Sequence, residues 1–173
     1  MIFAWGLCAF ILLKLILDTD TYKIGPTPTS RGVKKHLFEI TDRLNPTSIV
    51  DLGSGFGFLS LVLAKRYPQK IIYSIEAAFV PYCFSCLLKL LSNQQNWVIQ
   101  RADFFKLDSL KGELIYCFLY HDKKGLIASH LKKIATGKKV VSSTFSLNLD
   151  LLEKKQVSDL YQTPIYLFQV SDF

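Results

Sequence analysis

Short apolar runs alternate along this chain with longer stretches whose apolar residues fall at helical spacing. Val33, Leu37, Ile40 and Leu44 recur every three or four positions. They predict an amphipathic helix, capped by Thr29 or Ser30 and stopped by Asn45-Pro46. Ile49-Val50, ending in Asp51-Leu52, reads as a first strand. Ile71–Ile75, Trp97–Gln100, Leu114–Leu119 and Lys139–Phe145 read as four more, and Tyr166–Val170 as a last one. Helical patterns fill the intervals. One runs from Phe58 to about Arg66, ahead of Pro68; another from Ala77 to Ser92, with Pro81 in its first turn. A third, Lys123 to Ile134, places Leu126, Ile127, His130, Leu131 and Ile134 on its buried side. Strands alternating with helices predict an α/β fold around a mostly parallel sheet.

The first seventeen residues follow neither pattern. Met1 to Leu17 is apolar except for Lys14. As a helix it would reach about 25 Å, slightly short of a ~30 Å hydrocarbon core. A cleaved signal peptide wants a basic start and a small-residue cleavage site, and Leu17-Asp-Thr-Asp-Thr21 offers neither. A helix packed on the domain would need a polar face, and Phe3, Trp5, Leu7, Phe10, Ile11, Leu12 and Leu13 leave none. A membrane anchor over residues 1–17 fits best. Lys14 would reach the interface, and Lys23, Arg31, Lys34 and Lys35 would hold the domain on the cytoplasmic or matrix-like side. Residues 18–28, with Gly25-Pro-Thr-Pro28, read as a linker, and residues 29–173 as one domain.

Composition adds little. The formal net charge of +7 suits anionic partners such as nucleic acid or a membrane surface, but the basic residues are spread without a run. Cys83-Phe-Ser-Cys86 has no second ligand pair for zinc, so no metal is expected; the plain reading is two small apolar residues on a helix.

Candidate chemistry gathers where the first strand ends. Gly53, Gly55 and Gly57 follow Asp51-Leu52 and precede a helix. Such a turn at the carboxyl end of a strand is where doubly wound sheets bind nucleotide-like ligands. A dinucleotide fingerprint would need glycine at position 58, where Phe58 stands, and a Walker A loop would need Gly-Lys-Ser/Thr. Glu76 ends the second strand, 19 positions after Gly57, near the spacing at which an acid meets ribose hydroxyls. Asp103 follows the third strand. Any one of these acids is by itself most simply a cap or a solvated residue; three after three successive strands, beside a glycine loop, form a pocket rim.

Asp51-Leu-Gly-Ser-Gly-Phe-Gly57 resembles motif I of the class I S-adenosylmethionine-dependent methyltransferases. The resemblance implies a Rossmann-like three-layer sandwich, preceded here by the apolar N-terminal helix, with S-adenosylmethionine as cofactor. It also implies roles. Backbone around Gly53, Ser54, Gly55 and Gly57 would face the amino-acid end of the donor, and Asp51 would order that loop. Glu76 would accept from the ribose 2′- and 3′-hydroxyls, for which two carboxylate oxygens suit. Ala102-Asp103 would meet the adenine amino group, with Phe104 beside the ring. A narrower set looks like the small membrane-anchored lysine methyltransferases of mitochondria and bacteria: the apolar start, Gly25-Pro-Thr-Pro-Thr-Ser30, Val50-Asp-Leu-Gly-Ser-Gly55, Tyr73-Ser-Ile-Glu76 and Ala102-Asp103. The mitochondrial members modify the adenine nucleotide translocase and the ATP synthase c-subunit. That family usually reads Gly-Ser-Gly-Asp-Gly-Arg in the loop; Phe56 and Phe58 replace the acid and the arginine here. The implied substrate is a lysine of a membrane protein.

Methyl transfer is an in-line displacement that chiefly needs alignment. A lysine must also lose a proton, and Tyr120-His121-Asp122 after the fourth strand is where an acceptor would lie. His121 has the suitable pKa range, although an ordinary loop histidine is the simpler reading, and Tyr120 is its neighbour. Tyr116-Cys-Phe-Leu-Tyr120 replaces the Asp/Asn-Pro-Pro-Tyr/Phe motif of N6-adenine and glutamine methyltransferases. Two rivals remain: a methyltransferase of RNA or a small molecule, and a membrane-tethered module without catalysis, in which the Phe56 and Phe58 rings fill the donor site.

Overall fold

The computed structural model describes residues 29–118, 124–159 and 162–171. Helix α1, Arg31–Leu44, starts on Ser30, whose hydroxyl accepts from the Val33 N–H at 3.2 Å, and ends on Asn45 in the left-handed region. β1 (Ser48–Leu52), α2 (Phe58–Arg66), β2 (Ile71–Glu76), α3 (Phe79–Ser92) and β3 (Trp97–Arg101) follow as two right-handed crossover units. A single 3-10 turn, Phe104–Lys106, leads toward β4 (Leu114–Cys117) and α4 (Lys124–Ile134). β5 (Lys139–Ser143), β6 (Asp150–Gln156) and β7 (Pro164–Gln169) complete a seven-stranded sheet of order β3-β2-β1-β4-β5-β7-β6. Strands β1 to β5 are parallel; β7 pairs antiparallel with both β5 and β6.

Alternation along the central strands makes three layers. Ile49, Leu114, Tyr116 and Val141 face α1 and α2, where Val33, Leu37, Ile40, Leu63 and Ala64 cover them. Val50, Leu52, Ile115 and Val140 face the other way, against Ile127, Ala128 and Leu131 of α4. Order reverses on either side of β1 and β4: the chain runs outward from β1 to β3, then returns to β4. Crevices at the carboxyl ends of strands form at such a switch.

Two expectations need correction, and one strand goes beyond them. Leu126 is 64% exposed and not on the buried side of α4. The fifth strand stops at Ser143, because Thr144 turns to φ 78, short of Phe145. β6 carries no readable signal in sequence: Asp150-Leu-Leu-Glu-Lys-Lys-Gln156 is exposed at nearly every position and pairs with β7 alone. Charged residues of this kind protect a sheet edge from pairing with another chain. Here they also reach α1, through Arg43 to Glu153 and Lys155 to Glu39. The apolar start (residues 1–17), the linker (18–28), Tyr120 and His121 lie outside the described residues. Among the described residues, no helix is long and apolar enough to cross a membrane.

Candidate functional site

The glycine turn is held from below by the second strand. Both Gly53 and Ser54 donate their N–H groups to the Ile75 carbonyl, at 2.9 and 3.1 Å. Glu76, one residue on, clasps the turn through its side chain. Its Oε2 accepts from the Gly55 N–H at 2.7 Å and its Oε1 from the Ala78 N–H at 2.8 Å. The Glu76 carbonyl in turn accepts from the Ala102 N–H at 3.0 Å, tying in the end of β3. Three strand ends are therefore joined through one nearly buried residue.

This geometry revises the role of the loop backbone. The N–H groups of Gly53, Ser54 and Gly55 meet the acceptors above, and that of Gly57 meets the Ser54 carbonyl at 2.9 Å. Those four do not face outward, as the motif alone suggested. What the loop offers a ligand is different. The Ser54 hydroxyl is buried and, among the described residues, is the only buried side-chain oxygen or nitrogen without a hydrogen-bond partner. Gly55 has φ +54, and, its chain neighbours Ser54 and Phe56 apart, a Cβ built there would meet nothing within 4 Å. A buried, unpaired hydroxyl is costly, and a small shift of the turn would give it a partner.

Gly57 is needed for packing. Its φ is +75, and a Cβ would lie 2.6 Å from the Ser85 hydroxyl and 2.8 Å from the Trp97 ring. Ser85 also donates to the Gly55 carbonyl at 3.2 Å, so α3 braces the turn from the side.

Asp51 lies beneath the loop in a buried polar chain. The Trp97 indole N–H donates to Ser74 at 2.6 Å, Ser74 donates to Ser60 at 2.6 Å, and Ser60 donates to the Asp51 carboxylate at 2.5 Å. Burial pushes the Asp51 pKa up to about 6; the Ser60 hydrogen bond opposes that shift and the charge of Glu76 adds to it. Ser60, Ser74 and Trp97 escaped the sequence reading. The signal was there: Ser60 in an apolar helix and Ser74 in an apolar strand are polar residues at core positions.

The end of β3 is only partly as expected. Asp103 is half-buried and caps the following turn, its Oδ1 accepting from the Phe105 N–H at 3.1 Å. Phe104 is 7% exposed and belongs to the core, edge-on to His130 with centroids 4.8 Å apart. Its ring can form the floor of a pocket but not a freely stacking wall.

Phe56 and Phe58 turn toward α3. Their centroids lie 5.2 and 5.8 Å from that of Phe84, in edge-to-face contacts. The rings thus build a cluster with Phe84 beside the glycine turn. Among the described residues no group of His, Cys, Asp and Glu could hold a metal ion. Cys83 and Cys86 are free thiols on α3.

No protein-family model matches this sequence, and no curated protein matches it. Solved structures do match. An RNA methyltransferase from Salinibacter ruber, in complex with S-adenosyl-L-homocysteine, superposes with TM-score 0.71 at 18% identity, over 85% of this chain and 95% of that one. MtNAS in complex with S-adenosylmethionine gives 0.66 at 11% identity, over 79% of this chain and 61% of that one. The S-adenosylmethionine-dependent methyltransferase SibL gives 0.62 at 8% identity, over 80% and 54%. At these identities the likeness speaks for the backbone, and the strand order, the antiparallel β7 and the glycine turn after β1 agree with it. The chain has the Rossmann-like fold of the class I S-adenosylmethionine-dependent methyltransferases.

Proposed function

We propose that this chain is an S-adenosylmethionine-dependent methyltransferase, and that it methylates a lysine of a membrane protein. One observation carries the first half: Glu76 clasps the glycine turn at Gly55, holds Ala78 and ties in the end of β3, with open space over Gly55. These residues fit the donor. Two of the roughly four acceptor positions on the Glu76 carboxylate are taken by N–H groups, leaving the others for a pair of ribose hydroxyls. Ser54 would pair with the amino-acid end only once the turn shifts to expose its hydroxyl. Asp51 supplies negative charge beneath the loop once ionised, which favours an ammonium nearby. Asp103 keeps an oxygen for the adenine amino group.

The bound donor supplies a methyl group on a sulfonium, which a neutral amine can displace. The chain's work is then to orient donor and amine, to exclude water and to let the amine lose its proton. Tyr120 and His121, after β4, are the candidates for that last role.

The lysine and membrane assignment is supported by the resemblance in the motifs, by the apolar residues 1–17 and by the apolar outer face of α2 and α3. RNA is the second reading, favoured by the net charge of +7 and by what the Salinibacter ruber protein acts on. The groove of about 520 Å³ between α1 and α2 carries Arg31, Lys34, Lys35 and Arg66, a basic excess only partly offset by Glu39 and Asp42. Incubation with methyl-labelled S-adenosylmethionine, membrane fractions and total RNA separates the two. Label in acid-stable methyl-lysine of a membrane protein supports the assignment, and label confined to RNA overturns it.

A further inference from the structure

Helix α3 is among the least buried helices a domain could afford to make so apolar. Of Phe79–Ser92 only Ser85 is fully buried. Phe84, Leu87, Leu90 and Leu91 are 37, 49, 77 and 74% exposed. At 100° per residue these four fall within one stripe, on the side opposite Ser85. Phe58 and Val62 of α2, 55 and 37% exposed, extend the surface toward the glycine turn. Neither helix contains an acidic residue; their only charges are Lys65, Arg66 and Lys89. Arg66 is paired with Asp42 of α1 and Lys89 falls on the Ser85 side of α3, which leaves Lys65 beside this surface; apolar area so continuous marks a contact site rather than scattered exposure.

We infer that the outer face of α2 and α3 lies on an anionic lipid surface, with its leucines and phenylalanines entering the headgroup–acyl boundary. The absence of acids from both helices and the presence of Lys65 suit anionic headgroups, and the chain's excess positive charge adds to the attraction. Residues 1–17 are the obvious other occupant, but their sequence has no polar side. Packed on α3, that segment would hide one apolar surface and present another to water. A bilayer accommodates both.

The consequence rests on the methyltransferase reading. Phe58 follows the glycine turn directly and its ring meets Phe84 of that face, with centroids 5.8 Å apart, so docking would bring the donor site near the lipid surface. A substrate group emerging from the bilayer would then arrive at the site without diffusing through bulk water.

The test uses the full chain with Cys8, Cys83 and Cys86 changed to serine and Leu90→Cys labelled with an environment-sensitive fluorophore. The expected result is a blue shift on adding vesicles with anionic lipid, quenching by brominated acyl chains, and roughly tenfold weaker binding to neutral vesicles. A label that stays aqueous while the protein sediments with vesicles overturns the inference. So does a label already shielded without lipid, at every protein concentration (the chain's own segment) or increasingly with concentration (a second copy). S-adenosylhomocysteine binding by the same labelled protein, measured calorimetrically, tells failure of the lipid contact from failure of the donor site.

Discussion

Replacing Glu76 with alanine takes the acceptor from two N–H groups in one step. The carboxylate holds Gly55 at 2.7 Å and Ala78 at 2.8 Å, and it is only 8% exposed. Hydrogen bonds to a charged group contribute about 1.5–3 kcal/mol each, and water reaching the loosened loop recovers part of the loss. The expected destabilisation is therefore about 2–4 kcal/mol, or a fall in Tm on the order of 5–15 °C for a domain of this size. Donor affinity suffers separately. Two hydroxyl contacts are removed and the loop is no longer fixed, so binding of S-adenosylhomocysteine should weaken about 100-fold. Glu76→Gln sharpens the test. It keeps the size and one acceptor, but its NH2 must face either Gly55 or Ala78, both of which are donors. It should therefore fail nearly as badly as alanine. Circular dichroism melts and isothermal titration calorimetry read the two effects. The reasoning is refuted if Glu76→Ala melts within about 2 °C of wild type, or binds within about threefold of it, since either means the clasp contributes little.

Ser54→Ala removes the unpaired hydroxyl. The free protein should be unchanged or more stable by up to about 1 kcal/mol, while donor affinity falls severalfold; equal loss of both would show that Ser54 has a partner within the protein. Asp51 gives a pH dependence. Its carboxyl titrates near 3.8 when exposed and near 6 when folded, so the folded protein holds the proton more tightly. The stability this contributes is fully present below about pH 4 and is lost as pH rises through about 6, by about 3 kcal/mol; Asp51→Asn should flatten that slope in urea titrations across the range. If a cationic donor group lies near Asp51, wild-type affinity should increase over the same interval. Gly57→Ala should cost about 2–4 kcal/mol, because the new Cβ would meet Ser85 and Trp97 in a left-handed backbone; a melt within about 1 kcal/mol of wild type would refute the close approach.

The fold was legible because its signals are local and repeated. Four of the five parallel strands announce themselves as largely buried apolar runs, β3 at the sheet edge by Trp97-Val-Ile, and the glycine turn marks the strand that opens the first unit. β6 was silent because its residues answer to the sheet edge and to α1, not to a core. At the site, the acids at 51, 76 and 103 could be read from their places after strands. Their partners could not. Glu76 binds backbone two residues ahead and twenty-one behind, and nothing in the spacing says that it closes on Gly55 rather than only on a ligand. The Ser60–Ser74–Trp97 chain was half legible: Ser60 and Ser74 stand out as polar residues at core positions, but only the packing of α2 on β2 and β3 joins them to Trp97. Phe56 and Phe58 presented the opposite difficulty. The sequence placed them in the loop but not the direction of their rings, which Phe84 determines.

The central claim is that the space above Gly55, bounded by Ser54 and Glu76, binds the methyl donor. The most direct measurement is calorimetric titration of the full chain with S-adenosylhomocysteine, beside S-adenosylmethionine. The account predicts binding in the micromolar range, about −8 kcal/mol, at one site per chain. No heat with either ligand, from protein shown by its melt to be folded, would contradict it.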